Sequence, residues 1–285
     1  MTGTSRLLAR TRARATLALA STALILAPRA GAAQLRPLEP LEWGVFDDER
    51  SLVSWLGVGL HAEQRASMAG TTGRLLELGN YMMAWRTGRV ALEASGTAYR
   101  KFRDDGTYFV PAPGTEPSEG PGTIREDAGD LRLLTALRLT PLDSRLVAAL
   151  RFGARLPTTN NKKGLDRDQT DFLATIGARG RKGNVSLSVE GGIGLMGTRD
   201  PSYEQADMWQ YATQLAWDGG RVIPSLSWVG QQSGADFDVQ GVESLSELRL
   251  GVQLGRERWL RAALVHGVAA ASPEWGGLLS MGVHY

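Results

Sequence analysis

The chain has 285 residues, 42% hydrophobic, 7% aromatic and 22% charged, with 35 glycines, 12 prolines, no cysteine and a formal net charge of +2. Without cysteine there is no disulfide scaffold, no cysteine-ligated zinc or iron–sulfur site and no cysteine nucleophile. The ordinary charged and apolar fractions exclude wholesale disorder, and no apolar run after residue 30 approaches the roughly 18 residues of a membrane-spanning helix.

Residues 1–33 read as a secretory signal peptide, to be removed. Arg6, Arg10, Arg12 and Arg14 form a basic start, Thr16 to Ala27 a short apolar stretch, and Ala30-Gly31-Ala32 a small-x-small cleavage pattern. An uncleaved anchor helix is the alternative; a lipoprotein anchor would need cysteine. These residues hold five arginines and no acid, so 27 basic and 30 acidic residues remain after them, net −3. That balance gives no reason to expect nucleic-acid binding. Residues 34–50 are expected to be a periplasmic N-terminal segment, and residues 51–285 the folded domain.

From residue 51 the chain alternates with period two, the mark of strands with one apolar and one polar face. Twelve segments follow: 51–64, 74–86, 88–103, 129–140, 145–156, 169–180, 184–198, 206–218, 221–231, 242–254, 259–270 and 276–285. In the third, Leu92, Ala94 and Ala98 oppose Glu93, Ser95 and Thr97; in the fifth, Leu146, Leu150 and Phe152 oppose Arg145, Arg151 and Arg155. In the seventh, Val185, Leu187, Val189 and Ile193 oppose Ser186, Ser188 and Glu190. Segments 74–86 and 259–270 are the least regular, and His266 on the apolar parity suggests a bulge or another register there. Long connections (65–73, 104–128, 157–168, 199–205, 232–241 and 271–275) alternate with tight turns near Thr87, Pro141–Ser144, Arg181–Gly183, Gly219-Gly220 and Gly255–Arg258.

An even strand number, apolar-out/polar-in dyads and alternating loop lengths describe an all-β fold: a twelve-stranded antiparallel up-and-down transmembrane β-barrel, with 10–14 strands possible. A soluble β-sandwich or propeller would also alternate, but its strands average five to six residues. Aromatics near segment ends (Tyr81, Trp85, Tyr99, Phe102, Trp209, Trp217, Trp228, Trp259 and Trp275) suit an interfacial girdle. Leu279, Met281, Val283 and Tyr285 share one parity, like the C-terminal strand that the barrel-assembly machinery of the Gram-negative outer membrane recognises. That machinery and outer-membrane lipid are the expected partners, and the cell outer membrane the expected location; the sequence gives no oligomeric state.

Little else suggests chemistry. Gly192-Ile193-Gly194-Leu195-Met196-Gly197 matches G-x-G-x-x-G, but it lies inside a strand pattern and opens no helix, so strand packing is the better reading. The three histidines, His61, His266 and His284, have no metal-ligand spacing and no His-x-Ser arrangement like that of barrel lipid hydrolases. No catalytic residue, metal or cofactor is assigned. Loop 104–128 carries Asp104, Asp105, Glu116, Glu119, Glu126 and Asp127. It reads as a solvated loop, or as a ligand-gating or divalent-cation loop without a calcium-loop spacing.

Leu156-Pro157-Thr158, Gly164-Leu165 and Gln169-Thr170-Asp171-Phe172 resemble a pattern in the outer-membrane barrel family labelled after the meta-pathway of phenol degradation. The family runs Leu-Pro-Thr-Gly, then Gly-Leu-Gly-Thr-Gly, then a strand opening near Asp. Here Thr159 replaces the first Gly, and Asp166-Arg167-Asp168 replaces Gly-Thr-Gly. The resemblance implies a barrel; the family's role with hydrophobic or aromatic compounds is not carried over.

The functional expectation is a passive channel for small solutes, with a non-conducting structural or adhesive barrel as the alternative and a lipid-acting enzyme further behind. Glu93, Arg151, Glu190, Glu247 and Arg249 are the candidate pore-lining residues, inward-facing and near mid-membrane. Segments four to six contribute mainly arginines and segments seven to ten mainly acids. One wall is therefore expected to be basic and the facing wall acidic, setting up a transverse field, unless these charges pair and fill the lumen.

Overall fold

The computed structural model describes residues 35–47, 51–108, 110–198, 205–234 and 242–285. The expected signal peptide lies outside the described residues. A single sheet holds β1 (Leu52–Ala66), β2 (Thr71–Thr87), β3 (Val90–Tyr108), β4 (Ile124–Asp127), β5 (Leu131–Arg138), β6 (Leu146–Leu156), β7 (Asp171–Lys182), β8 (Val185–Gly197), β9 (Gln205–Trp217), β10 (Val222–Ser233), β11 (Leu245–Leu254), β12 (Arg258–Gly267) and β13 (Trp275–His284). Apart from β4 and β5, strands adjacent in sequence pair antiparallel, and β13 pairs with β1 to close the cylinder. β4 and β5 both pair with β3 in one register, Arg100↔Asp127 continuing as Ser95↔Arg132, so they are one barrel strand interrupted at 128–130. The architecture is a closed twelve-stranded antiparallel barrel.

The outward face settles what surrounds it. Leu60, Phe172, Ile176, Leu250, Leu264 and Met281 are each about 60% exposed, a continuous apolar band that water would not tolerate. Trp85, Trp217 and Tyr285 rim the short-turn end, and Trp209 and Trp275 the long-loop end. Two expected girdle residues are not in the girdle. Trp259 is buried inside, because odd positions of β12 face the lumen, and it stacks edge-on to His284 at 5.9 Å. Phe102 is also inside: the inward parity of β3 changes from Glu93, Ser95 and Thr97 to Arg100, Phe102 and Asp104.

Local breaks explain the irregular second segment. Gly79 is left-handed (φ 67°) where the β1–β2 register slips between Gly57 and Val58, and a second slip falls between His61 and Gln64. After Gly79 the inward positions of β2 pass from Leu75 and Glu77 to Met82 and Ala84. The bulge expected around His266 is absent, since β12 pairs without a slip on both sides. His266 faces outward and lies against Trp275, with ring centroids 4.4 Å apart, so the apolar parity was that of an interfacial ring. The expected loop 104–128 is shorter than the sequence suggests, because β3 runs on to Tyr108 and β4 returns from Ile124.

Candidate functional site in the barrel lumen

Residues 35–47 of the expected periplasmic segment lie inside the barrel. Residues 35–47 run down the lumen from the long-loop end to the short-turn end, and apolar and ionic contacts alternate along them. Pro37 and Pro40 favour an extended chain with few backbone donors, and Leu35, Leu38 and Leu41 recur every third residue. Leu35 packs with Ala66, Leu75, Phe102 and Leu165. Leu38 packs with Leu134, Leu173, Met196 and Met208. Leu41, Trp43, Val45 and Phe46, the last three in a 3-10 turn (Trp43–Phe46), cover Met82, Ala84, Ala136, Val147 and Ala149. A water-filled lumen would give those inward apolar residues no partner; each large side chain so buried stabilises the plug by about 1.5–3 kcal/mol.

The polar residues of the segment meet the barrel's charges. Arg36 Nη2 donates to Glu247 Oε2 at 2.8 Å, and its Nη1 contacts the His61 ring. The Glu39 carboxylate receives Arg249 through two bonds, at 2.6 and 3.0 Å, and the Glu39 carbonyl accepts from Arg151 Nη1 at 2.9 Å. The Leu41 amide donates to Glu190 Oε2 at 2.8 Å. At the short-turn end Arg138 Nη1 donates to the Phe46 carbonyl at 3.0 Å, and Arg179 pairs with Asp47.

All five candidate residues from the sequence face inward, and all five are buried. Arg151 bridges Glu93 (2.7 Å) and Glu190 (3.3 Å), while Thr175 donates to Glu190 at 2.5 Å. Arg249 pairs with Glu247 at 2.9 Å. They thus form two clusters joined by Glu39 of the plug. Basic and acidic residues are close partners here, so the expected transverse field is largely cancelled at this level. Sequence reasoning missed Arg36, Glu39 and Glu77; the threefold leucine spacing with prolines was the available signal.

A second layer of buried ion pairs lies at the long-loop end. Arg155 contacts Asp130 (3.0 Å), Asp166 (3.1 Å) and Asp171 (2.6 Å); Arg100 reaches Glu77 at 3.0 Å and Asp166 at 3.5 Å; and Arg167 pairs with Asp171 at 2.6 Å. Burial alone would raise the pKa of Asp166, but the Arg155, Arg100 and Arg167 charges outweigh it and hold the carboxyl well below the usual range. Asp166 and Arg167, two of the four residues that depart from the family pattern, therefore fasten the loop 157–170 into the barrel. The loop around Glu116 lies over it, with the Glu116 amide bonded to the Lys162 carbonyl at 2.8 Å and Arg125 Nη1 to the Lys163 carbonyl at 3.1 Å. The acidic loop is thus half of a lid. Among the described residues no group of three or more His, Asp or Glu is arranged to hold a metal.

A cavity of about 840 Å³ remains around the plug. It reaches the short turns at Asp143, Arg145 and Gly183 and rises as far as Arg36, Glu77 and Arg100. Glu93, Arg151 and Arg249 line it; Glu190 and Glu247 do not. Where the plug leaves the wall uncovered, that wall is small or polar, with Ser225, Gly251, Gln253, Ala263 and Ser280. The glycine run in β8 has a packing role: a Cβ on Gly192 would overlap the Ala174 carbonyl oxygen.

No family model and no curated protein matches the chain. Solved structures do. An outer-membrane channel from Pseudomonas putida is 13% identical, with a TM-score of 0.53 over 87% of this chain and 100% of that one. The fold is that of an outer-membrane β-barrel. A mutant monoaromatic hydrocarbon channel (8% identity, 90% of this chain and 99% of that one, TM-score 0.47) and the translocator domain of an autotransporter from Neisseria meningitidis (13%, 82% and 88%, 0.46) are more distant.

Proposed function

We propose that this protein is an outer-membrane channel passing small solutes by passive diffusion, with residues 35–47 as its constriction. The observation that carries the reading is the cavity of about 840 Å³ between the plug and the uncovered wall, continuous with the short-turn end. An anchored but non-covalent plug narrows such a path without removing it. Glu93, Arg151 and Arg249 line this path, while Glu190 and Glu247 hold the side chains that do. The apolar outer band fits outer-membrane lipid, and the final strand, with Leu279, Met281 and Tyr285 outward, fits recognition by the assembly machinery. The solved channel from Pseudomonas putida supports a channel by likeness of fold.

The second reading, a non-conducting structural barrel, is favoured by the buried ion pairs that tie the loop 157–170 into the long-loop end. Planar-bilayer conductance distinguishes them. The full chain should give small, intermittent steps, and a variant lacking 35–47 should give larger and steadier ones. Silence from both, with folded barrels inserted, would favour the structural barrel.

A further inference from the structure

Arg132 stands apart from the pairing found elsewhere in the lumen. The carboxylates around it are each held by another cation: Asp130 by Arg155, Glu93 by Arg151, Glu77 by Arg100 and Glu39 by Arg249. Among the described residues Arg132 makes no ion pair, and its Nε is buried without an acceptor. In the β3–β5–β6 ladder it lies between Ser95 and Arg155. Arg155 is committed to three carboxylates and offers nothing to accept. Ser95 and Thr97, two residues apart on the same face, line the cavity together with Arg132. Arg132 is half-buried and borders the cavity; a cation held partly out of water without an ion-pair partner favours a counter-ion, and a guanidinium presents a planar fork matched to carboxylate and phosphate oxygens.

We propose that Arg132, with the hydroxyls of Ser95 and Thr97, forms a binding site for the oxyanion group, carboxylate or phosphate, of the solute that enters this lumen. The proposal rests on the channel reading only for the route by which the anion arrives. That route has the right sign: the cavity lining holds eleven arginines and seven acidic residues. Net positive charge along a low-dielectric passage concentrates anions.

Calorimetric titration of the full barrel in detergent with sodium acetate and with inorganic phosphate tests the site. The wild type should bind at least one of them, acetate alone pointing to a carboxylate-bearing solute and phosphate alone to a phosphate-bearing one. Arg132→Gln should weaken binding by about tenfold or more, the loss of one charge-assisted pair. Arg132→Lys, which keeps the charge and loses the fork, should weaken it severalfold. If the wild type binds neither anion, or if either folded variant binds as the wild type does, the proposal is overturned. Bilayer recordings separate this result from the channel reading. An anion-binding barrel that never conducts defeats the channel and leaves the site; a conducting barrel that binds no anion does the reverse.

Discussion

Inside the barrel a single arginine holds several groups at once, and its loss strands them. Arg151 stands between Glu93 and Glu190 and also donates to the Glu39 carbonyl. Arg151→Met leaves two buried carboxylates without their cation and is expected to destabilise the barrel by about 3–5 kcal/mol, seen as a lower urea midpoint. Glu93 and Glu190 replaced together with Arg151 by neutral residues should recover most of that loss, since the cost lies in unpaired charge. Arg151→Glu, which would add a third carboxylate, should fail to fold rather than change ion selectivity. Asp166 carries a pH prediction. Its folded pKa is lowered, so it stabilises the docked loop above its unfolded value, about 3.9, and that contribution disappears only as pH falls through the lowered value. A fluorophore on Lys162 should report the loop still docked at pH 5, and Asp166→Asn should loosen it there.

The elements that decide access are irregular ones. The plug touches the barrel in three apolar zones separated by ionic contacts, so weakening one zone should loosen it without releasing it. Trp43→Ala removes the largest apolar contact of the short-turn zone and should cost about 3 kcal/mol or more. Its expected signature is longer open dwell times in single-channel recordings; dwell times like those of the wild type would show that the plug does not set them. The lid behaves as a pair. Arg125 donates to the carbonyls of Glu116 and Lys163 and so spans both loops. Arg125→Ala should raise proteolytic cleavage in both loops together, whereas cleavage in only one would mean that they are independent.

For the whole molecule the predictions concern orientation and class. Short turns face the periplasm and long loops the outside in barrels of this kind. A tag at Gly120 should therefore be labelled on intact cells and a tag at Gly183 should not. The boiled protein should migrate differently on gels from the unboiled one, and its circular dichroism in detergent should be β-rich. The outward apolar band requires detergent or lipid, so solubility without either would contradict the membrane reading.

The sequence by itself determined the barrel. Period two survives in a single chain because one side of every strand meets lipid and the other does not, and loop length alternates because the turns lie alternately at two membrane surfaces. Segments such as 145–156 and 184–198 were therefore legible almost to the residue. The inward direction of Glu93, Arg151, Glu190, Glu247 and Arg249 was equally legible, because parity alone fixes it. Only the tertiary structure decided their partners. Arg151 meets Glu190 across the intervening β7, and Arg249 meets Glu39 from 210 residues away. Parity reports a face, not a distance between strands. The local breaks at Gly79 and in β3 were hidden for a related reason: a change of parity inside a strand reverses the pattern beyond it, as at Phe102. The plug was least visible, because a segment of 13 residues without a period of two carries no ladder signal. Its leucines and prolines acquire meaning only beside Leu134, Ala136, Val147 and Ala149, apolar residues on the inward parity whose partner the closed barrel supplies.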